Sequence, residues 1–180
     1  MSRTEILLPQ AEYRPCENWD DRPEGEQVDL LVIHSISLPP GEFGGPWIDD
    51  LFMQRLNPDA HPYFKQIRDL RVSCHLLITR EGKLLQYVPL NRRAWHAGTS
   101  NFRGRGNCND FSIGIELEGC DELPFTDAQY TTLAQATHAI RSRFPAITRE
   151  RITSHAAIAP ERKSDPGPCF DWPRYLATLK

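Results

Sequence analysis

The first strong apolar run is Leu30, Leu31, Val32 and Ile33, with an acidic, Pro/Gly-containing stretch before it and His34 after it. It is short and partly β-branched, which predicts a buried strand. A glycine/proline loop follows, and Pro46 then opens a helical stripe of Trp47, Ile48, Leu51, Phe52 and Leu56. Residues 74–79 and 84–89 flank Arg80-Glu81-Gly82-Lys83, a hairpin signal. Across residues 112–119 the pattern alternates, with Ile113, Ile115 and Leu117 on one face and Gly114, Glu116 and Glu118 on the other. Thr126 and Gln129 form a capping box for a long helix carrying Tyr130, Leu133, Thr137, Ile140 and Phe144 on one side. A short strand over residues 151–154 leads to His155, then a Pro/Gly loop to residue 168 and a last amphipathic helix from Trp172. Strands and helices alternate, but the hairpin argues against an all-parallel sheet. The predicted class is α/β (α+β): one domain over residues 1–180, core about 28–180, with a mixed central sheet flanked by helices.

Composition changes this picture little. A length of 180 residues suits one domain that can bury a core without staples. The net charge of -3 gives no reason to expect nucleic acid or an anionic membrane surface as a partner. No segment has the length of a membrane span, and residues 6–8 are too short for a signal h-region. Five scattered cysteines without a C-x-x-C pair argue against a disulfide framework. The expectation is a cytoplasmic protein with a small-molecule partner and no obligate protein partner.

Three side chains stand out by position. His34 follows one buried strand, His155 follows another, and Asp165 lies in a Pro/Gly-rich loop. Two imidazoles and a carboxylate match zinc's preference for N and O donors and leave a fourth position open for water. Strand-end histidines also serve as plain polar boundary residues, so spacing alone leaves both readings open. Glu116, mid-strand, reads either as part of a solvated face shared with Glu118 or as a general base. Lys163 reads as an exposed loop lysine beside Arg162 or as a cation for a developing oxyanion. Trp95 and His96, in a loop, suit either substrate contact or loop packing. Arg71 is either a carboxylate partner or an ordinary surface arginine. His75 reads as a satisfied structural histidine, and His138 as solvent-facing.

Four segments settle the choice: VIHSIS, AWHAG, FSIGIELEG and SHAAIAPERKSDPGPCFDW. They resemble the zinc N-acetylmuramoyl-L-alanine amidase family, which includes phage amidases and peptidoglycan recognition proteins. The likeness is closest to the family's cytoplasmic cell-wall recycling branch, and there it runs nearly end to end. The resemblance implies one zinc per chain held by His34, His155 and Asp165, with Glu116 as proton acceptor and Lys163 as transition-state stabiliser. Phage and animal relatives carry a cysteine where Asp165 stands; a carboxylate leaves the ion harder and more electrophilic. The implied reaction is hydrolysis of the amide between the lactyl group of (1,6-anhydro)-N-acetylmuramic acid and L-alanine. The implied role is cell-wall recycling, which also limits muropeptides that induce β-lactamase.

Overall fold

The computed structural model describes residues 4–179. The chain lays down β1 (Glu12–Tyr13), β2 (Trp19–Asp20) and the long β3 (Leu30–Ile36), then two short helices, α1 (Trp47–Phe52) and α2 (Phe64–Ile67). Next come β4 (Leu76–Ile78), β5 (Leu84–Gln86) and β6 (Arg93–Ala94), followed by a small hairpin of β7 (Asn101–Phe102) and β8 (Arg105–Gly106). A second long strand, β9 (Ser112–Glu118), leads into helix α3 (Asp127–Arg143). The chain closes with β10 (Ile152–Ser154), the one-turn α4 (His155–Ile158) and α5 (Trp172–Ala177). Six strands form the central sheet in the order β1-β5-β4-β9-β3-β10. Only the hairpin pair β4/β5 is antiparallel; the other neighbours run parallel. This is the mixed α/β single domain that the alternation of elements predicts.

The period-2 pattern of β9 decides what lies on each face. Ile113, Ile115 and Leu117 join Leu31, Ile33, Leu76 and Ile78 in the main core, covered by Tyr130, Leu133 and Ile140 of α3 and Tyr175 of α5. Helix α3 begins where the sequence signal places it. Thr126 Oγ1 accepts from the Gln129 amide at 3.1 Å while Gln129 Oε1 accepts from the Thr126 amide at 3.0 Å. Such a cap contributes about 1 kcal/mol. The opposite face carries two smaller apolar clusters. One gathers Leu77 and Leu85 with Leu51, Phe52 and Phe64; the other gathers Leu30 and Val32 with Ala97, Phe111 and Ile158. The polar centre described below shares this face with them.

Three local features depart from the sequence pattern. Helix α1 stops at Phe52 instead of running on to Leu56. Its Phe52 carbonyl accepts from Asn18 Nδ2 at 3.0 Å, and Gln54, at φ +57°, turns its own amide to Asn18. A tertiary contact from the N-terminal segment thus overrides the helical stripe. That segment also packs further in than the pattern indicates, since Leu8 and Cys16 are buried core residues that precede residue 28. Finally, Glu118 is not solvated. It is buried and accepts from the Gly44 amide at 2.6 Å and the Arg80 amide at 2.9 Å, tying the glycine loop to the hairpin.

Candidate metal centre and cleft

Strands β9, β3 and β10 lie side by side and parallel, so their carboxyl ends open on one edge, where ligands bind in open α/β sheets. His34 of β3 is in register with Glu116 of β9, and Glu116 with Leu77 of β4. Partners in register project from the same face of the sheet. Strand β10 ends at Ser154, whose hydroxyl accepts from the Ala157 amide at 2.9 Å and caps α4. His155 is therefore the first residue of that helix, and its amide neighbour Ala156 donates to the Asp165 carbonyl at 3.0 Å. This folds the 159–168 loop back over the strand ends.

Three donor atoms converge there. His34 Nδ1 and His155 Nδ1 are 2.9 Å apart, His155 Nδ1 and Asp165 Oδ2 3.0 Å, and His34 Nδ1 and Asp165 Oδ2 3.3 Å. Among the described residues this is the group that could hold a metal ion. Donors bound tetrahedrally at about 2.0–2.1 Å sit roughly 3.3 Å from one another, so the triangle fits with little adjustment. The far ring nitrogens are also engaged. His155 Nε2 lies 3.2 Å from the Ala97 carbonyl, which can only accept, so that nitrogen carries the proton and Nδ1 keeps its lone pair. His34 Nε2 meets His96 Nδ1 at 2.8 Å.

Electrostatics favour the neutral-imidazole, ionised-carboxylate state that a metal needs. Burial pushes His34 down to about 4, against the opposing pull of Asp165. Burial would raise Asp165, but the His155 and His34 rings beside its Oδ2 outweigh it and hold the carboxyl well below its ordinary range. Glu116 behaves in the opposite way. Burial, reinforced by the Asp165 charge and opposed by Lys163, pushes it well above the carboxylate range. Its Oε2 is buried without a hydrogen-bond partner. An unsatisfied carboxylate oxygen is costly, and here it belongs to a residue that lines the cleft.

The cleft has a volume of about 510 Å³, and Glu116, His155, Lys163 and Asp165 all line it. Lys163 sits on its exposed rim. Its neighbour Arg162, also part of the cleft wall, donates to the Ala97 and Thr99 carbonyls at 2.7 and 3.0 Å. Trp95 forms part of the wall, with Tyr63, Ile67 and Leu70 from the 57–70 segment. Arg71 lines a neighbouring hollow that shares Leu51, Ile67 and Leu70 with the cleft. His75 is buried, accepting from the Gly114 amide at 3.0 Å and meeting the Arg92 carbonyl at 3.0 Å, and is satisfied as expected. His138 is exposed. Sequence reading missed Asn109 and Ser112, which hold His96 from behind. The available signal was Gly114 in mid-strand, a mark of close approach by another group.

Convergent donors at the edge of a polar cleft, with a buried carboxyl beside them, are the equipment of a metal-assisted hydrolase. The comparisons give the class its name: the family model for N-acetylmuramoyl-L-alanine amidase matches residues 24–168, and the chain belongs to that family of hydrolases. It is 58% identical over 172 residues to the 1,6-anhydro-N-acetylmuramyl-L-alanine amidase AmpD of Salmonella typhimurium, covering 96% of this chain and 91% of the relative. A crystal structure of a selenomethionine derivative of AmpD superposes with a TM-score of 0.95 at 57% identity, covering 100% of both chains. The Escherichia coli amidase AmiD, in complex with anhydro-N-acetylmuramic acid-L-Ala-D-γ-Glu-L-Lys, aligns at TM-score 0.64 and 30% identity, covering 88% of this chain and 60% of that one.

Proposed function

We propose that this protein is a zinc amidase of the cytoplasm that cuts the amide between the lactyl group of 1,6-anhydro-N-acetylmuramic acid and L-alanine. Its products are the anhydro sugar and the free stem peptide. In this reading His34, His155 and Asp165 hold one zinc ion. The observation that carries it is the triangle of three donor atoms, with edges of 2.9 to 3.3 Å, at the cleft edge beside an unpartnered Glu116 oxygen. A zinc ion so held supplies Lewis acidity and lowers the pKa of water to about 7.

The chain's own groups do the rest. Water's oxygen bonds to the lactyl carbonyl carbon, and its proton passes to Glu116. The carbon–nitrogen bond then breaks, and Glu116 returns the proton to the departing alanine nitrogen. Burial favours the protonated form of this carboxyl, the form that returns the proton to nitrogen. Lys163, on the rim, stabilises the oxyanion that forms in between. Trp95 and the Tyr63 wall bound the sugar and peptide, and Arg71 in the adjoining hollow can meet a peptide carboxylate as a guanidinium fork.

The substrate assignment draws support from the near full-length likeness to AmpD and from the anhydromuramyl ligand bound by AmiD. No helix among the described residues is long and apolar enough to cross a membrane. A cytoplasmic enzyme of this kind acts on imported turnover fragments and so lowers the pool of β-lactamase-inducing muropeptides. The test is kcat/KM for matched bridged and unbridged muramyl peptides, with intact sacculi alongside. Strong preference for the 1,6-anhydro sugar is expected. Equal values with efficient peptide release from sacculi would instead indicate a lytic amidase.

A further inference from the structure

His96 is buried, 9% exposed, and both its ring nitrogens are spent on protein partners. Nδ1 lies 2.8 Å from His34 Nε2, and Nε2 lies 3.1 Å from Ser112 Oγ. A ring edge reaches the cleft, but no nitrogen remains to grip a sugar or peptide. The ring sits over Gly114, where an added Cβ would come within 2.6 Å of it. The backbone beneath is equally fixed. Asn109 Oδ1 accepts from the His96 amide at 3.1 Å and the Ala97 amide at 2.8 Å. Ala97 in turn offers its carbonyl to His155 Nε2. Two consecutive residues therefore touch the far nitrogens of both histidines of the centre.

We infer that His96 is a positioning residue for His34, held in place by Asn109 and Ser112, and not a substrate contact. The inference rests on the reading of His34 as a metal ligand. Coordination through His34 Nδ1 uses that lone pair, so the neutral ring must carry its proton on Nε2. That proton is donated to His96 Nδ1. His96 then carries its own proton on Nε2 and donates it to Ser112 Oγ. One direction of hydrogen bonding runs from the metal ligand through two rings to a serine, and it selects the His34 tautomer that binds. The acceptor is also chemically distinctive. Metal-bound histidines commonly donate to a carboxylate, which raises ligand basicity. A neutral imidazole does so less, leaving Asp165 as the one anionic donor and the metal correspondingly electrophilic.

The test uses the zinc-loaded full chain with His96→Ala, His96→Gln, Ser112→Ala and His34→Ala. The readouts are zinc affinity by chelator competition, the visible spectrum of the cobalt-substituted protein, and kcat and KM. His96→Ala should weaken zinc binding about 10–100-fold, shift the cobalt spectrum and lower kcat with little change in KM. Gln, whose amide oxygen can accept from His34, should restore most of the affinity. Should His96→Ala fail to fold, Ser112→Ala decides: it removes only the far end of the chain and should weaken zinc several-fold. Unchanged zinc affinity and cobalt spectrum in the folded variants, with a raised KM for His96→Ala, would overturn the inference and return His96 to the substrate. His34→Ala separates the two levels. If it keeps wild-type zinc affinity, the metal-site reading itself fails, whatever His96 does.

Discussion

The two faces of β9 share one backbone and are both buried, yet they are built on opposite principles. Toward α3 the strand offers Ile113, Ile115 and Leu117, and stability comes from aliphatic packing. Toward the cleft it offers Ser112, Gly114, Glu116 and Glu118, packed among His34, His75 and His96. There each ring nitrogen has a named partner, and Glu116 Oε2 is the exception. The first face tolerates local change because carbon can repack. The second does not, since a lost partner leaves a buried polar group unpaired. The lesson is that burial alone does not mark the core; what each buried atom is bonded to separates scaffold from site.

The largest effect should come from Glu116. Glu116→Ala is expected to keep fold and metal but lose at least about a hundredfold in kcat, the scale of a positioned general base. Steady-state kinetics beside metal analysis checks this; near-normal turnover would return Glu116 to a passive polar residue. A matched pair then sharpens the contrast between faces. Gly114→Ala forces a Cβ against the His96 ring and Cys74 Sγ, at 2.6 and 2.9 Å. It should cost about 1–3 kcal/mol of stability through overpacking and weaken metal binding as well. Ile115→Val, one residue on and facing α3, should cost only about 0.5–1.5 kcal/mol and leave the metal alone. Denaturant unfolding with zinc titration compares them directly.

A further contrast separates the faces by pH. Burial pushes His75 down to about 3, so the folded protein keeps it neutral where the unfolded chain, at an ordinary 6.5, takes up a proton. Stability from this residue is thus present above pH 6.5 and falls as pH drops from 6.5 towards 3. The slope is about 1.4 kcal/mol per pH unit for one proton. In metal-free protein, His75→Gln should reduce the pH dependence of unfolding by about one proton. An unchanged slope would mean that His75 is not held neutral.

Most of the fold was legible because its signals are local: the alternation in β9, the hairpin at residues 80–83, and the Thr126/Gln129 cap of α3. The end of α1 was not, since it depends on Asn18, 34 residues away. In the centre, motif resemblance singled out His34, His155, Asp165 and Glu116, and the fold brings these four side chains together. The positions of His96, Asn109 and Ser112 were not legible, because their roles exist only through contacts between the segment after β6, the 107–111 turn and β9. Glu118 misled for the same reason. From sequence it shares a strand face with Glu116 and suggests solvent, but its carboxylate is consumed by the Gly44 and Arg80 amides.

The central claim is that two histidines and one aspartate hold the ion that drives amide hydrolysis. The most direct measurement is zinc per chain in purified wild type, His34→Ala and Asp165→Ala, each shown folded by circular dichroism. A three-donor site has no spare ligand, so removing one should cost most of the affinity. The prediction is one zinc per wild-type chain and close to none in either variant. Wild-type zinc content in a folded His34→Ala or Asp165→Ala would contradict the assignment.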